Sequence, residues 1–313
     1  VLVWESATGR LVKTITLLDA RQHYGDLDNS LGLSFAADGS LLVATLHEAD
    51  VKGQPGFNLV RSFELSSAKD ALGPEDALST AKVEGVHVLR HMPIGSAGQY
   101  LAAEVWLYQD GNLQGSETRL FARDGAALAT IPSSSLLDID RDSALLRGSR
   151  REQPRLSLWN LSDPAQPREI TPDWMRERAA AWRKTNPQGR YGFWPLIDAK
   201  LGAVDGVPAL ILRDGDTLEL RALDDGRVLA ALKVPDGWTA GSFVTDPSGR
   251  RLAALLEPRG NFEGGTPQRL AVWELSGGAL VMERRAQGAA HVLFRPDGLM
   301  TAGKGGVELI ELP

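Results

Sequence analysis

The chain contains no cysteine, which excludes a disulfide framework and any thiolate metal site, and fits a reducing or an oxidising compartment equally. It has no excess of basic charge: 34 Lys and Arg stand against 40 Asp and Glu, for a net charge of −6. Without a basic stripe there is no nucleic-acid footprint, and no nucleic-acid partner is expected. No apolar run approaches the roughly 20 residues that a helix needs to cross a bilayer, so no membrane span is expected. The opening Val1-Leu2-Val3-Trp4 lacks an initiator Met, a basic leader and a signal peptide. It starts inside a strand pattern and reads as a fragment. The compartment stays open, with the cytoplasm favoured, and room is left for a further fused domain.

What the sequence does hold is a repeat. The 313 residues are 43% hydrophobic and 24% charged, enough for two average domains or one large all-β or repeat domain with a buried core. Short alternating apolar segments that end in acidic or small-residue turns recur along the chain. The clearest are Leu2-Val3-Trp4-Glu5, Leu156-Ser157-Leu158-Trp159 and Leu270-Ala271-Val272-Trp273-Glu274. In weaker copies the Trp position is held by Phe63, Phe121, Arg221 and Ile310. Period-two alternation with β-branched and aromatic residues is a strand signal, and Gly, Asp and Pro punctuation excludes long helices. Most copies follow a strand, a tight turn and another strand, as around Asp38-Gly39, Pro247-Ser248-Gly249 and Pro296-Asp297-Gly298. Pro fixes φ and Gly accepts positive φ, so these are hairpin turns. A third short strand follows, as at 11–17 and 227–234.

Each unit is thus four strands, a-b-c-d, the content of one blade of a β-propeller. Val3-Trp4-Glu5-Ser6-Ala7-Thr8-Gly9 resembles strand c and the following turn of WD-repeat proteins, and Phe294-Arg295-Pro296-Asp297-Gly298 resembles their a–b turn. The chain is therefore similar to a divergent, bacterial-style WD-repeat propeller, although no unit keeps that family's Gly-His dipeptide. The resemblance implies an all-β fold of four-stranded antiparallel blades forming one domain over residues 1–313. Strands run c-d, then five full blades, then a-b-c. That order predicts seven blades with the first truncated at its N-terminal side. The alternative is six blades, with 11–17 completing the last one and 1–5 surplus.

In such a propeller the d–a and b–c loops share one face. Insertions at 19–30, 48–58, 147–155, 171–192 and 257–269 all fall there, whereas only 66–78 lies on the other. Loops on a rigid scaffold carry binding, so function is expected on the crowded face. The 171–190 insertion reads as a helix, with Thr171 as cap, Pro172 in the first turn, Asp173 complementing the dipole, and Pro187 and Gly189 ending it. Spacing of four puts Trp174, Arg178 and Trp182 on one side of it, and Trp and Arg are the types enriched in interaction hot spots. They can equally pack the helix onto the propeller, since a short helix is marginal alone. Arg150 and Arg151 sit in an arginine-rich loop able to grip a carboxylate or phosphate. Tyr24, Phe57 and Phe262 add aromatics in the other inserted loops.

Catalytic signals are thin. His87 and His91 have a chelating spacing only on a helix; on a strand they stand roughly 13 Å apart, too far to share an ion. Asp140, Asp198 and Asp246 recur near the end of strand a, where they could line a metal-bearing channel or cap the a–b turn. No nucleophile elbow, P-loop or EF-hand has its required context. The residues call for no cofactor and no metal. The leading expectation is a non-catalytic scaffold or regulatory propeller that binds a protein or peptide. The alternative is a metal-dependent hydrolase or lactonase with a channel site, or a propeller gating a separate hydrolase domain.

Overall fold

The computed structural model describes every residue except 6–7, 9, 18–31, 36–39, 49–56, 85, 96–97, 110–111, 149–155, 186–198, 215, 260–267, 287, 296–297, 304–305 and 313. Its strands form seven small sheets, five of them four-stranded. They are the blades of a seven-bladed β-propeller. The first sheet joins Leu2–Glu5 and Arg10–Ile15, strands c and d, with Ala71–Leu72 beside them. The second is Gly32–Phe35, Leu41–Glu48, Phe57–Glu64 and Ser79–Glu84. Val86–Ile94, Tyr100–Gln109, Asn112–Ala122 and Ala127–Ile131 make the third. Ser134–Asp140, Ser143–Gly148, Leu156–Asn160 and Arg168–Glu169 make the fourth. After helix α1 (Asp173–Thr185) come the fifth, Lys200–Val204, Val207–Asp214, Thr217–Ala222 and Val228–Lys233, and the sixth, Trp238–Thr245, Arg251–Pro258, Arg269–Glu274 and Leu280–Arg285. The seventh is Ala289–Arg295, Gly298–Gly303 and Gly306–Ile310.

The strand order is the one the repeat implies: c-d, five full blades, a-b-c. Six blades are excluded by pairing, because Arg10–Ile15 hydrogen-bonds along Leu2–Glu5 and makes those residues part of a sheet of their own. The chain divides into two compact units, Val1–Thr171 with the first four sheets and Pro172–Pro313 with α1 and the other three.

Within each unit the sheets stack face to face, and the alternation of each strand decides what is buried. In Thr217–Ala222 every second residue is buried, which puts Leu218 and Leu220 into a core with Phe243 and Trp273 of the sixth sheet. Arg251–Pro258 lies in the middle of its sheet and is buried on both sides from Leu252 to Leu256, as expected for a strand covered twice. Val43 and Val60 meet Leu101, Ala103, Val105 and Phe121 between the second and third sheets. Each such Leu, Val or Phe contributes about 1.5–3 kcal/mol by leaving water.

The recurring Trp position explains itself structurally. Trp273, Phe63, Phe121 and Ile310 are buried at it, and Trp159 packs partly buried against the core of the third and fourth sheets. Arg221 is the exception: its guanidinium grips Glu219 and donates to the Gly226 carbonyl at 2.7 Å. The turns follow sequence too. Asp246 accepts the amides of Arg250 and Arg251 at 2.7 and 2.9 Å, the turn-capping role open to that position.

One insertion does something the sequence does not announce. Between strands c and d of the second sheet, Ala71–Leu72 runs parallel to Arg10–Ile15 and extends the first sheet. Thr14 and Thr16 donate their amides to Asp70 and Leu72, at 2.9 and 2.8 Å. Lys13, only 6% exposed, donates Nζ to the carbonyls of Ser67 and Lys69. The segment straps the first sheet to the second. It covers backbone groups that an outer strand leaves unpaired.

Candidate interaction surface

Of the binding residues expected from the sequence, only Trp174 and Arg178 have side chains among those described. Tyr24, Arg150, Arg151 and Phe262 lie outside the described residues. Phe57 starts strand c of the second sheet, opposite Glu48 and Glu84. Trp182 belongs to α1, but its side chain is likewise outside those described.

Helix α1 starts and stops close to where its sequence predicts, though its start is held differently. Thr171 does not cap it: the Thr171 Oγ1 accepts the Leu158 amide at 3.0 Å and donates to Glu169 at 2.8 Å. The first turn instead uses the Pro172 carbonyl, which accepts the Met175 amide at 3.1 Å. Trp174 donates Nε1 to the Leu223 carbonyl at 3.2 Å. Its ring lies flat on Gly226, so close that a Cβ there would stand 2.5 Å from the indole. Four residues on, Arg178 reaches Asp214 at 3.0 Å and Glu219 at 2.9 Å. The helix therefore lies along the fifth sheet, from its c–d end to its b–c end. Trp174 and Arg178 are engaged in seating it. The Arg221 guanidinium, and Arg178 after it, hold the Glu219 carboxyl below the usual glutamate range.

A second cluster lies at the d–a and b–c ends of the fifth and sixth sheets. Trp238 opens strand a of the sixth sheet, with its backbone opposite Pro258, and packs partly buried against the core. The Arg269 guanidinium sits 4.5 Å above the indole, a cation–π contact worth about 0.5–1 kcal/mol at a half-exposed site. Arg269 also pairs with Glu283. Arg259 donates Nε to the Trp238 backbone carbonyl at 3.0 Å and pairs with Asp216 of the preceding blade. Arg213 donates to the Ala240 carbonyl at 2.6 Å. Arg259 and Arg269 remain 44% and 45% exposed at the side chain. An indole with one half-exposed guanidinium over its ring and a second at its backbone has the composition of an interaction hot spot.

Elsewhere the chemistry is that of ion pairing. The carboxyls of Glu5, Asp76, Glu219 and Asp225 are each held below their ordinary range, chiefly by hydrogen bonds from Thr8, Lys69, Arg221 and the Arg227 amide respectively. Groups so held accept hydrogen bonds at neutral pH and do not donate protons. Among the described residues, no three His, Asp or Glu side chains converge as ligands would. His87 and His91 share the strand Val86–Ile94, and Asp198 lies outside the described residues. No helix among the described residues is long and apolar enough to cross a membrane.

Comparison with solved structures returns propellers of low sequence identity. Hydrazine synthase from Kuenenia stuttgartiensis matches with a TM-score of 0.53 and 13% identity, over 94% of this chain and 80% of that one. Apo AztD from Citrobacter koseri matches with a TM-score of 0.50 and 12% identity, over 99% of this chain and 88% of that one. A eukaryotic initiation factor matches with a TM-score of 0.44 and 14% identity over 96% of this chain, which spans 64% of the length of that one. The likeness is of fold alone. No protein-family model matches the chain, and no curated protein does.

Sequence reasoning missed Trp238, Arg259 and Arg269. The one available signal was a Trp directly after the turn Pro235-Asp236-Gly237, at a d–a end where indole is not needed to build a strand.

Proposed function

We propose that the protein is a non-catalytic WD-repeat-like propeller that binds a protein or peptide partner through the d–a and b–c ends of its blades. The observation that carries this reading is the Trp238 indole with the Arg269 guanidinium over its ring and Arg259 bound to its backbone carbonyl at that end. Indole offers a large rigid contact, and half-exposed arginines offer forked donors to carboxylates and backbone carbonyls. By chain order the b–c insertion bearing Phe262 belongs to the same sheet as Trp238, and we assign Phe262 and Trp182 to this surface. Tyr24, Phe57, Arg150 and Arg151, in the other unit, are proposed as binding residues of that unit's own d–a and b–c loops. Trp174 and Arg178 support it by seating α1. The partner's identity is left to experiment.

The test is capture from source lysate with immobilised protein. Three forms are compared: unmodified, a Trp238→Ala, Arg269→Ala double variant, and an Asp225→Ala control altered at the opposite c–d end. A partner retained by the first and third and lost by the second supports the reading. A partner held equally by all three removes this end from the binding surface.

A further inference from the structure

Among the described residues the seventh sheet is open along Gly306–Ile310, and we infer that this edge receives an extended, antiparallel strand of a partner polypeptide with aliphatic residues at two positions two apart. The edge is distinct from the surface proposed above, and neither proposal depends on the other. In the fifth and sixth sheets strand c is paired on both sides, with b and with an outer strand d. In the seventh, Gly306–Ile310 pairs only with Gly298–Gly303. Gly303 and Gly306 close a two-residue hairpin as a hydrogen-bonded pair. By the alternation of the ladder, Gly306, Glu308 and Ile310 bond inward, and Val307 and Leu309 aim amide and carbonyl at the open edge. Aligned on the position held by Arg221, Trp273 and Ile310, Val307 and Leu309 match Leu218 and Leu220 of the fifth sheet and Leu270 and Val272 of the sixth. Those four are fully buried, whereas Val307 and Leu309 are 66% and 57% exposed.

Sheets protect such edges with charge or irregularity. Strand d of the fifth sheet ends on Lys233 and that of the sixth on Arg284 and Arg285, and both pair across a register shift. Gly306–Ile310 has no Lys, Arg or Pro and pairs without a shift. Its one charge, Glu308, is held by Arg284 of the sixth sheet. The sheet also specifies what it takes. Outward amides and carbonyls two residues apart fit the backbone of an extended strand. Leu293, Met300 and Leu309 stand opposite one another across the three strands, a row that an aliphatic residue of the incoming strand continues. The fifth sheet shows the same pattern filled, with Leu232 opposite Leu218 and Ala230 opposite Leu220. A second copy of this chain is a poorer fit. The antiparallel register that sets Val307 against Leu309 of the other copy also sets Glu308 against Glu308, and like charges directly opposite are destabilising.

The test uses fluorescence anisotropy with the whole protein and a labelled peptide that copies the outer strand of the fifth sheet, Val-Leu-Ala-Ala-Leu-Lys. Saturable binding is expected below about 1 mM. N-methylation of its third and fifth residues, whose amides face the edge in that pairing, should weaken binding at least about tenfold. N-methylation of its second and fourth residues, whose amides face away, should leave binding unchanged. Leu309→Lys places a charge on the edge at an exposed position and should weaken binding by a similar factor, with the urea midpoint unmoved. Amide exchange at Val307 and Leu309 should slow when the peptide is bound. Failure to saturate, equal losses from the two methylation patterns, or unslowed exchange at Val307 and Leu309 overturns the assignment. A monomer–dimer equilibrium in sedimentation that the peptide competes with and Leu309→Lys abolishes overturns the partner and makes the occupant a second copy.

Discussion

The seat of α1 on the fifth sheet turns on one glycine. Gly226 has φ +73°, and its amide donates to the Ala222 carbonyl at 3.0 Å, so its backbone is pinned in the left-handed region. Gly226→Ala places a methyl 2.5 Å from Trp174 Cδ2 and Cγ. The backbone cost of a Cβ at such a φ is about 1–2 kcal/mol. The indole must also lift. Half of the roughly 200 Å² that a tryptophan buries is about 100 Å², or about 2.5 kcal/mol at 25 cal/mol/Å². The Trp174 bond to the Leu223 carbonyl adds about 1 kcal/mol. Partial relaxation brings the expected loss to about 3 kcal/mol or more. In a Trp174→Ala background the same substitution should cost only the backbone share, leaving a coupling of about 2 kcal/mol. Urea denaturation measures the four corners of this cycle, and amide exchange along 174–181 shows whether the loss falls on the helix. A cost for Gly226→Ala that is the same with and without the indole would refute this seating of the helix.

Other outcomes are expected of the same structure. Trp273→Ala empties a site only 1% exposed between the fifth and sixth sheets and should cost about 3–5 kcal/mol by urea denaturation. Because Glu219 titrates below its ordinary range in the folded protein, its stabilisation is complete above the unfolded value and is lost as pH falls through the folded one. Exchange protection of α1 should therefore drop below about pH 4, and Glu219→Gln should flatten that dependence while weakening α1 at neutral pH. Lys13→Met removes the donor to Ser67 and Lys69. Amide exchange at Thr14 and Thr16 should then accelerate, with protection of the third sheet unchanged.

How much of this was legible in the sequence depended on how each feature is encoded. The sheet count was readable because each blade repeats the same alternation and turn chemistry, down to the aromatic position filled by Trp273, Phe63 and Phe121. Arg221 at that position was a visible irregularity, and the structure supplies its cause: Glu219, Gly226 and Arg178 of the helix gather around it. Ala71–Leu72 was not legible, because two residues carry no period and their pairing is with a strand far back in the chain. Thr171 looked like a cap by residue type alone, yet a hydroxyl has several suitors and the Leu158 backbone is nearer. The cluster at Trp238 was hidden for a different reason. Its arginines come from separate strands and loops, and sequence gives proximity along the chain but not across two blades.

The strap that holds the first sheet also sets a timetable. Lys13 and its acceptor Ser67 are 54 residues apart, so during synthesis the opening hairpin leaves the ribosome long before its fastening exists. At about 5–20 residues per second the delay is roughly 3 to 11 s. Through that interval the outer strand Arg10–Ile15 presents an unsecured edge, the kind that invites pairing with another nascent chain. Slowed elongation between the two points would lengthen that window, and the yield of soluble protein should fall with it.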